Sequence, residues 1–325
     1  MSGLAPRNKL RPTFLDDLRR LRVLREFRER GSVTDTALAM HLTTSAVSQQ
    51  LSGLSRELGF PVTVKVGRKL VLTPEGKALL DHADAVFARL EEARVDLQNW
   101  SPAGRCRIDV GGFSSILTGL LPGVVQLMRV QAPLADLRLH QVESPELFDR
   151  LDDGTVDVAL SLSFRGSPEP DDSRYHRVEL GVDVLDVALP RDHPAADEAT
   201  VALRDLCGEE WISGTPGGSC DVLLQTACNA AGFTPQIVHR LEDWLSTAAF
   251  VAAGQAITLI PRLAQVTLPA GLVIRPLRGP VPERYVFAAI RQGAQNDPYL
   301  VELLESLVRS ASSLRSAAAA QVGEA

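Results

Sequence analysis

The most restrictive feature of the sequence is a run of apolar residues spaced alternately four and three positions apart. Its members are Leu79, Ala83, Val86, Leu90, Ala93, Leu97 and Trp100. A repeat of about 3.5 residues keeps one helix face apolar and is typical of two-stranded coiled coils. Because Thr73 and Pro74 suit a helix start, residues 74–100 are predicted to form a dimerisation helix about 40 Å long. The alternative is an amphipathic helix that packs on its own domain.

The predicted dimerisation helix separates two parts of opposite charge. Residues 1–77 contain 14 Lys and Arg against 7 Asp and Glu, whereas residues 78–325 contain 20 against 33, so the net charges are +7 and −13. A basic module joined to an acidic remainder is typical of a nucleic-acid-binding chain, because phosphate repels the acidic part and orients the molecule. Small basic segments without such a role also exist, so the charge alone does not decide the function.

Residues 14–73 are predicted to form a small helical module. Apolar residues recur at helical spacing over residues 15–30, and a second, shorter helix is predicted over residues 34–41. Thr43 is a suitable N-cap for a third helix, and Gly59 ends it. The apolar residues of this third helix fall on one stripe, which consists of Val47, Leu51, Leu54 and Leu58.

The opposite face of the third helix carries small hydroxyl and amide side chains. They are Thr44, Ser45, Ser48, Gln49 and Ser52. Glutamine can bond both N6 and N7 of adenine, and serine and threonine can bond either base partner. Two helices joined by a tight turn, with such residues on the second, form a helix-turn-helix. The alternative for this face is an ordinary solvated helix surface.

Two β-rich runs follow the third helix and enclose a basic turn. The runs cover residues 61–66 and 70–72, and Gly67, Arg68 and Lys69 lie between them. This pattern predicts a hairpin, and its basic tip could contact phosphate or enter the minor groove. The sequence of this module therefore predicts a winged helix-turn-helix.

The acidic remainder alternates strands and helices. The order strand, helix, strand, helix, strand over residues 106–160 implies a parallel sheet, and a second unit begins near residue 184. The predicted fold class is thus α/β behind an all-α winged module, with two lobes and a cleft between them. The boundaries are 105–180 for lobe I, 181–280 for lobe II, 281–312 for the return to lobe I, and 313–325 for a frayed tail, after a break at 101–104.

Hydroxyl-rich turns at strand ends mark candidate ligand positions. Ser114 and Ser115 precede one helix, a Ser, Gly and Thr-rich turn covers residues 213–219, and Ser161, Ser163 and Arg165 follow a third strand. Helix N-termini with hydroxyl groups bind anions, which favours an acidic or zwitterionic small-molecule ligand. Ordinary helix caps would carry the same residues.

On these residues the chain resembles the LysR-type transcriptional regulators. The resemblance rests on residues 18–21, 31–34, 46–51, 58–61 and 68–76 in the basic module, and on residues 120–122, 151–159 and 251–261 in the remainder. The matching segments occur in the order typical of the family and span nearly the whole chain. Ser55 stands where the family commonly has glutamate.

The resemblance implies the functional residues. It matches Thr44, Ser45, Ser48 and Gln49 to recognition-helix contacts, Lys65, Arg68 and Lys69 to wing contacts, and Ser114, Ser115, Ser161 and Thr215 to effector contacts. It implies a periplasmic-binding-protein-like effector domain and a homodimer or homotetramer on double-stranded promoter DNA, with RNA polymerase as a further candidate partner. It also implies transcription regulation without catalysis or a cofactor. The four cysteines are too few for a disulfide scaffold and lack zinc spacing, so a reducing cytoplasm and no metal site are expected. No run reaches about 18 apolar residues, so no membrane span is expected.

The sequence supports three alternative functions less well. A thiol-based redox sensor of the same fold would use Cys220 and Cys228, but these lie eight residues apart, about 12 Å on one continuous helix, which is too far for a disulfide. An α/β enzyme finds no support, because no nucleophile elbow, phosphate loop or zinc-protease motif occurs. An exported binding protein is not expected, since no signal peptide is recognised and the N-terminal module is basic.

Overall fold

The computed structural model describes residues 18–99, 106–164, 167–266 and 268–311. The chain divides into two compact units, residues 1–90 and 91–325. Five expectations lie outside the described residues: the helix start at 15–17, Trp100 in the apolar seam, the break at 101–104, Arg165, and the tail at 313–325.

The first unit contains the predicted winged helix-turn-helix. Its elements are α1 (Leu18–Arg30), α2 (Val33–Ala39), α3 (Thr44–Leu58), β1 (Thr63–Val66), β2 (Lys69–Leu72) and α4 (Pro74–Asn99), whose last turns belong to the second unit. The second helix ends two residues earlier than expected, because His41 adopts a left-handed φ of 52° in the turn to α3. The predicted all-α module with a β-hairpin wing is confirmed.

The core of the first unit forms between α1 and α3. The predicted stripe of α3, Val47, Leu51, Leu54 and Leu58, is at most 1% exposed. Leu21, Leu24 and Phe27 of α1 pack in the same core. Burying each such side chain stabilises the fold by about 1.5–3 kcal/mol, so the apolar stripe fixes which face of α3 remains outside.

Local hydrogen bonds fix the ends of the helices in this unit. The Thr43 hydroxyl accepts the Ala46 N–H at 3.1 Å, and Gly59 ends α3 with a φ of 76°. The Ser55 hydroxyl accepts the Val62 N–H at 3.1 Å and thereby ties α3 to the start of the wing. A side chain at Gly76 would approach the Val62 carbonyl oxygen to 2.2 Å, so only glycine fits where α4 passes the wing.

Two residues of the predicted dimerisation seam belong to the core of the first unit. Leu79 and Ala83 are 9% and 1% exposed and pack with α1 and α3. Their assignment to the pairing surface is therefore wrong. The periodicity could not show this, because one apolar stripe serves equally for a local core and for a partner helix.

The second unit alternates strands and helices as predicted. Its first half comprises β3 (Cys106–Gly112), α5 (Ser114–Gly119), α6 (Leu121–Gln131), β4 (Ala135–Gln141), α7 (Glu146–Asp153), β5 (Val158–Leu162) and β6 (Tyr175–Pro190). Its second half comprises β7 (Val201–Ala202), β8 (Glu210–Ser213), α8 (Ser219–Ala230), β9 (Gln236–Arg240), α9 (Trp244–Ala252), β10 (Thr258–Pro261), β11 (Leu272–Arg275), β12 (Leu277–Arg278), β13 (Glu283–Arg291) and α10 (Pro298–Ser310). The single helix expected over 114–130 is broken at Leu120, because Pro122 lacks the N–H needed to continue α5.

The main sheet has the order β10, β6, β13, β5, β3, β4, with β11 also paired to β6. β3 pairs in parallel with β4 and β5, which confirms the parallel arrangement of the first lobe. β6 and β13 are antiparallel, which the sequence pattern did not indicate. No described helix combines the length and the apolarity that spanning a membrane requires.

The long strand β6 joins two lobes within the second unit. Its residues up to Val184 pair with β13, whereas residues 185–188 pair with β10 and residues 187–190 with β11. The predicted lobe boundary at 180/181 falls inside this strand. Lobe I is built on β3, β4, β5 and β13 with α5–α7 and α10, and lobe II on β7–β12 with α8 and α9.

Candidate DNA interface and effector cavity

The outward face of α3 presents the residues that the sequence predicted for base contact. Thr44, Ser45, Ser48 and Gln49 are all exposed, while the opposite stripe of the same helix is buried. The Ser45 hydroxyl lies 2.9 Å from that of Thr43. This face is therefore polar, uncharged and accessible along the first two turns of α3, as base recognition requires.

The wing presents the predicted cations. β1 and β2 are antiparallel with Val66 opposite Lys69, so Gly67 and Arg68 form the two-residue tip and Lys69 belongs to β2. Lys65, Arg68 and Lys69 are exposed. Exposed basic groups at a hairpin tip suit phosphate oxygens.

The arginines of α1 are partly engaged inside the first unit. Arg20 donates to Gln50 at 3.2 Å, and its guanidinium lies 3.4 Å from the position that a side chain at Gly53 would take. The guanidinium of Arg25 stacks over the Phe87 ring at 4.7 Å. These basic residues therefore help to hold α1 against α3 and α4.

The remaining predicted dimerisation residues are exposed on α4. Val86, Leu90 and Leu97 are 38%, 46% and 62% exposed, and Ala93 is exposed as well. By contrast, Val95 is buried in the lobe I core of the second unit. Among the described residues of the seam, those from Val86 to Leu97 are thus exposed.

A cavity of about 460 Å³ lies between the two lobes of the second unit. All four side chains that the resemblance matched to effector contacts line it, namely Ser114, Ser115, Ser161 and Thr215. They come from the start of α5, from β5 and from the loop between β8 and α8. The volume suits a small organic molecule.

A buried ion pair forms one wall of this cavity. Arg284 of β13 pairs with Asp183 of β6, and both are at most 4% exposed. The same guanidinium donates to the Ser115 hydroxyl at 2.9 Å, while Asp183 accepts the Leu263 N–H at 3.1 Å. The positive charge of Arg284 is therefore matched by a carboxylate directly behind it.

A second buried carboxylate lies at the lobe II wall. Asp221 accepts from the Ser213 hydroxyl at 2.9 Å and from the Gly217 N–H at 3.0 Å, and it pairs with Arg240. Burial favours the neutral acid, but these hydrogen bonds and the Arg240 charge outweigh it, so the pKa of Asp221 lies below its usual value. Asp221 thus organises the loop that carries Thr215.

Two further carboxylates face the cavity from opposite lobes. The backbone N–H and the hydroxyl of Thr215 both donate to Glu242. Glu143 lines the lobe I side together with Ser114, and desolvation raises the pKa of its carboxyl. Thr215, which the sequence predicted to contact an anion, thus already binds one of the protein's own carboxylates.

Sequence reasoning missed Asp183, Arg284, Glu143 and Glu242. Arg284 and Ser115 lie 169 residues apart in the chain, so no local motif joins them. A signal did exist, since Asp183 and Asp186 interrupt the apolar strand β6, and a charge inside a buried strand requires a partner. Among the described residues, no three His, Cys, Asp or Glu side chains are grouped so that they could hold a metal ion.

The two cysteines of the redox alternative lie on one helix, as the sequence suggested. Both Cys220 and Cys228 belong to α8 and are free, and eight residues of helix separate them by about 12 Å. Desolvation raises the pKa of both thiols, that of Cys228 to about 12. Thiols that remain protonated are poor nucleophiles, so this pair does not suit a disulfide switch.

A winged helix-turn-helix, a long helix and a two-lobed α/β unit with a ligand-sized cavity define a ligand-responsive DNA-binding regulator. A family model for the bacterial regulatory helix-turn-helix protein of the lysR family matches residues 18–77, and one for the LysR substrate binding domain matches residues 101–312. The chain therefore belongs to the LysR family, and it is a DNA-binding transcriptional regulator with an effector-binding domain.

Similar proteins agree with this assignment. The Hca operon transcriptional activator HcaR of Escherichia coli is 28% identical over 279 residues, which cover 85% of this chain and 92% of that protein. The hydrogen peroxide-inducible genes activator of Dickeya chrysanthemi is 26% identical and covers 86% and 89%. A full-length OxyR variant of Pseudomonas aeruginosa shares the fold, with a TM-score of 0.58, 21% identity, and coverage of 89% and 94%.

Proposed function

We propose that this regulator reads promoter DNA through Thr44, Ser45, Ser48 and Gln49 of α3 and holds the phosphate backbone through Lys65, Arg68 and Lys69 of the wing. The observation that carries the proposal is the exposure of all seven side chains on the first unit, beside a fully buried apolar stripe on the same α3 helix. The uncharged helix face suits base edges, and the charged hairpin suits phosphate.

The exposed part of the α4 seam supports a dimer. Val86, Leu90, Ala93 and Leu97 present an apolar stripe to solvent, and pairing two such helices would remove it from water. A dimer carries two winged helix-turn-helix units related by symmetry and can therefore bind two half-sites of one DNA site. A homotetramer and contacts with RNA polymerase belong to the same proposal, by analogy with the family.

The cavity between the lobes supports effector binding as the regulatory input. It collects Ser114, Ser115, Ser161 and Thr215 from both lobes. A ligand there would contact both lobes at once and would change the balance between their arrangements. We therefore propose regulation of transcription by a small molecule, without catalysis.

A DNA-binding measurement tests this function. Fluorescence anisotropy of the full chain with DNA from upstream of its own gene is expected to show specific binding that weakens steeply as salt rises, because phosphate contacts release counterions. Lys69→Ala is expected to weaken binding to all sequences alike and to reduce the salt slope by about one.

Arg129→Ala is the matched control for this test. Arg129 is an exposed cation on α6 of the second unit, and its removal is expected to leave both the affinity and the salt slope unchanged. Equal losses from the two variants would show that the wing has no special role and would contradict the proposed DNA interface.

A further inference from the structure

The cavity between the lobes has an unusual distribution of hydrogen-bond donors. The backbone N–H of Thr215, a residue predicted to contact an anion, already donates to Glu242, and Glu143 lines the cavity from the opposite lobe. The Thr215 hydroxyl also donates to Glu242. An anionic ligand would have to displace the Glu242 carboxylate to reach the Thr215 donors.

The charges that line the cavity do not cancel. Arg284 is neutralised by Asp183, and Asp221 is neutralised by Arg240. Within the described ranges, no Arg, Lys or His lies at ion-pair distance from Glu143 or Glu242, although the Arg284 charge acts on Glu143 from farther away. After this pairing the cavity retains two negative charges, one on each lobe.

The cavity also offers aromatic surface beside these carboxylates. Trp244 adjoins Glu242 on lobe II, and Phe113 and Phe164 line the lobe I side. The negative faces of aromatic rings attract cations, and carboxylates without a basic neighbour favour an opposite charge. Carboxylates combined with aromatic walls are typical of sites that recognise ammonium or guanidinium groups.

We propose that the effector is a cationic amine or guanidinium compound, held between Glu143 on lobe I and Glu242 on lobe II. This inference rests on the proposed function of the cavity as the effector site, and it differs from the acidic or zwitterionic ligand expected from the helix N-termini. Binding would place one positive group between two carboxylates that now repel each other, and so would draw the lobes together.

Calorimetric titration of the full chain tests the proposal with two sets of probes. L-arginine and 1,4-diaminobutane supply the cationic groups, and succinate and benzoate supply matched anions. At least one cationic probe is expected to bind the parent protein, and neither anion is. Glu143→Gln and Glu242→Gln are each expected to weaken the cationic probe about tenfold or more, because a charge-assisted hydrogen bond becomes a neutral one.

A second pair of variants separates charge from structure. Glu305→Gln makes the same chemical change on exposed α10, outside the cavity, and is expected to leave the titration unchanged. Glu242→Ala releases the Thr215 N–H and hydroxyl, so this variant is expected to gain affinity for succinate. A merely structural role for Glu242 would produce no such gain.

Three outcomes would overturn the cationic effector. They are preferential binding of succinate or benzoate to the parent protein, absence of binding by both cationic probes, and cationic binding that neither glutamine variant weakens. Promoter affinity measured in the same samples keeps this failure distinct from failure of the regulator itself. An anion that binds and alters promoter affinity would leave the effector function intact, whereas loss of all DNA binding would refute the broader proposal.

Discussion

Replacing Arg284 by methionine gives the sharpest test of how the second unit is held together. The Arg284 side chain is 3% exposed and that of Asp183 is fully buried. Without the guanidinium, the Asp183 carboxylate keeps the Leu263 N–H as a donor, and the Ser115 hydroxyl loses its 2.9 Å partner. Removal of one member of a buried ion pair costs about 3–5 kcal/mol, because the other charge is left without compensation.

The expected loss is large enough to measure directly. For a unit of this size, each kcal/mol shifts the melting temperature by about 2–4 °C, so Arg284→Met is expected to lower it by roughly 6–20 °C. All three tryptophans lie in the second unit, so urea unfolding followed by tryptophan fluorescence reports on this unit alone. The same samples give melting temperatures by circular dichroism.

Two further variants make the result specific. Arg309→Met removes a half-exposed arginine that pairs with Glu302, and it is expected to cost less than about 1 kcal/mol. Asp183→Asn combined with Arg284→Met removes both charges and is expected to recover part of the stability. The reasoning is refuted if Arg284→Met unfolds at the same urea concentration as Arg309→Met.

Three other variants test the remaining sites. Gln49→Ala is expected to change base preference by about 1–3 kcal/mol at one position of each half-site in competition binding assays, and a uniform loss over all sequences would argue against base contact. Leu90→Asp is expected to lower the molar mass measured by light scattering, because a charge would be buried in the dimer interface. Leu38→Asp changes a more exposed leucine of α2 and is expected to leave the mass unchanged. An unaltered mass for Leu90→Asp would argue against dimerisation through the seam. Desolvation raises the pKa of the Cys220 thiol and so makes it a poor nucleophile. Peroxide is therefore expected to leave promoter affinity unchanged in both the parent protein and Cys220→Ser. A peroxide response that this substitution abolishes would support the redox-sensor alternative.

Local patterns in the sequence predicted much of the architecture. The stripe from Val47 to Leu58, the Thr43 cap and the Gly59 stop define α3 and its outward face, and the structure confirms all three. The alternation of strands and helices likewise predicted the parallel part of lobe I. These features depend on residues a few positions apart, whose spacing alone decides which side chains share a face.

The tertiary structure determined what the residues of each sequence pattern contact. The apolar seam of α4 is one uninterrupted repeat in sequence, yet Leu79 and Ala83 enter the local core while Leu90 and Leu97 remain exposed. The hydroxyl-rich turns predicted an anion site, but Glu242 already accepts the N–H and the hydroxyl of Thr215, and Glu143 lines the same cavity. The sequence by itself determined the winged helix-turn-helix, the long helix and the α/β character of the remainder, because these follow from local periodicity. Only the tertiary structure determined the charge of the cavity, because its ion pairs join residues up to about a hundred positions apart and electrostatic energy depends on distance in space.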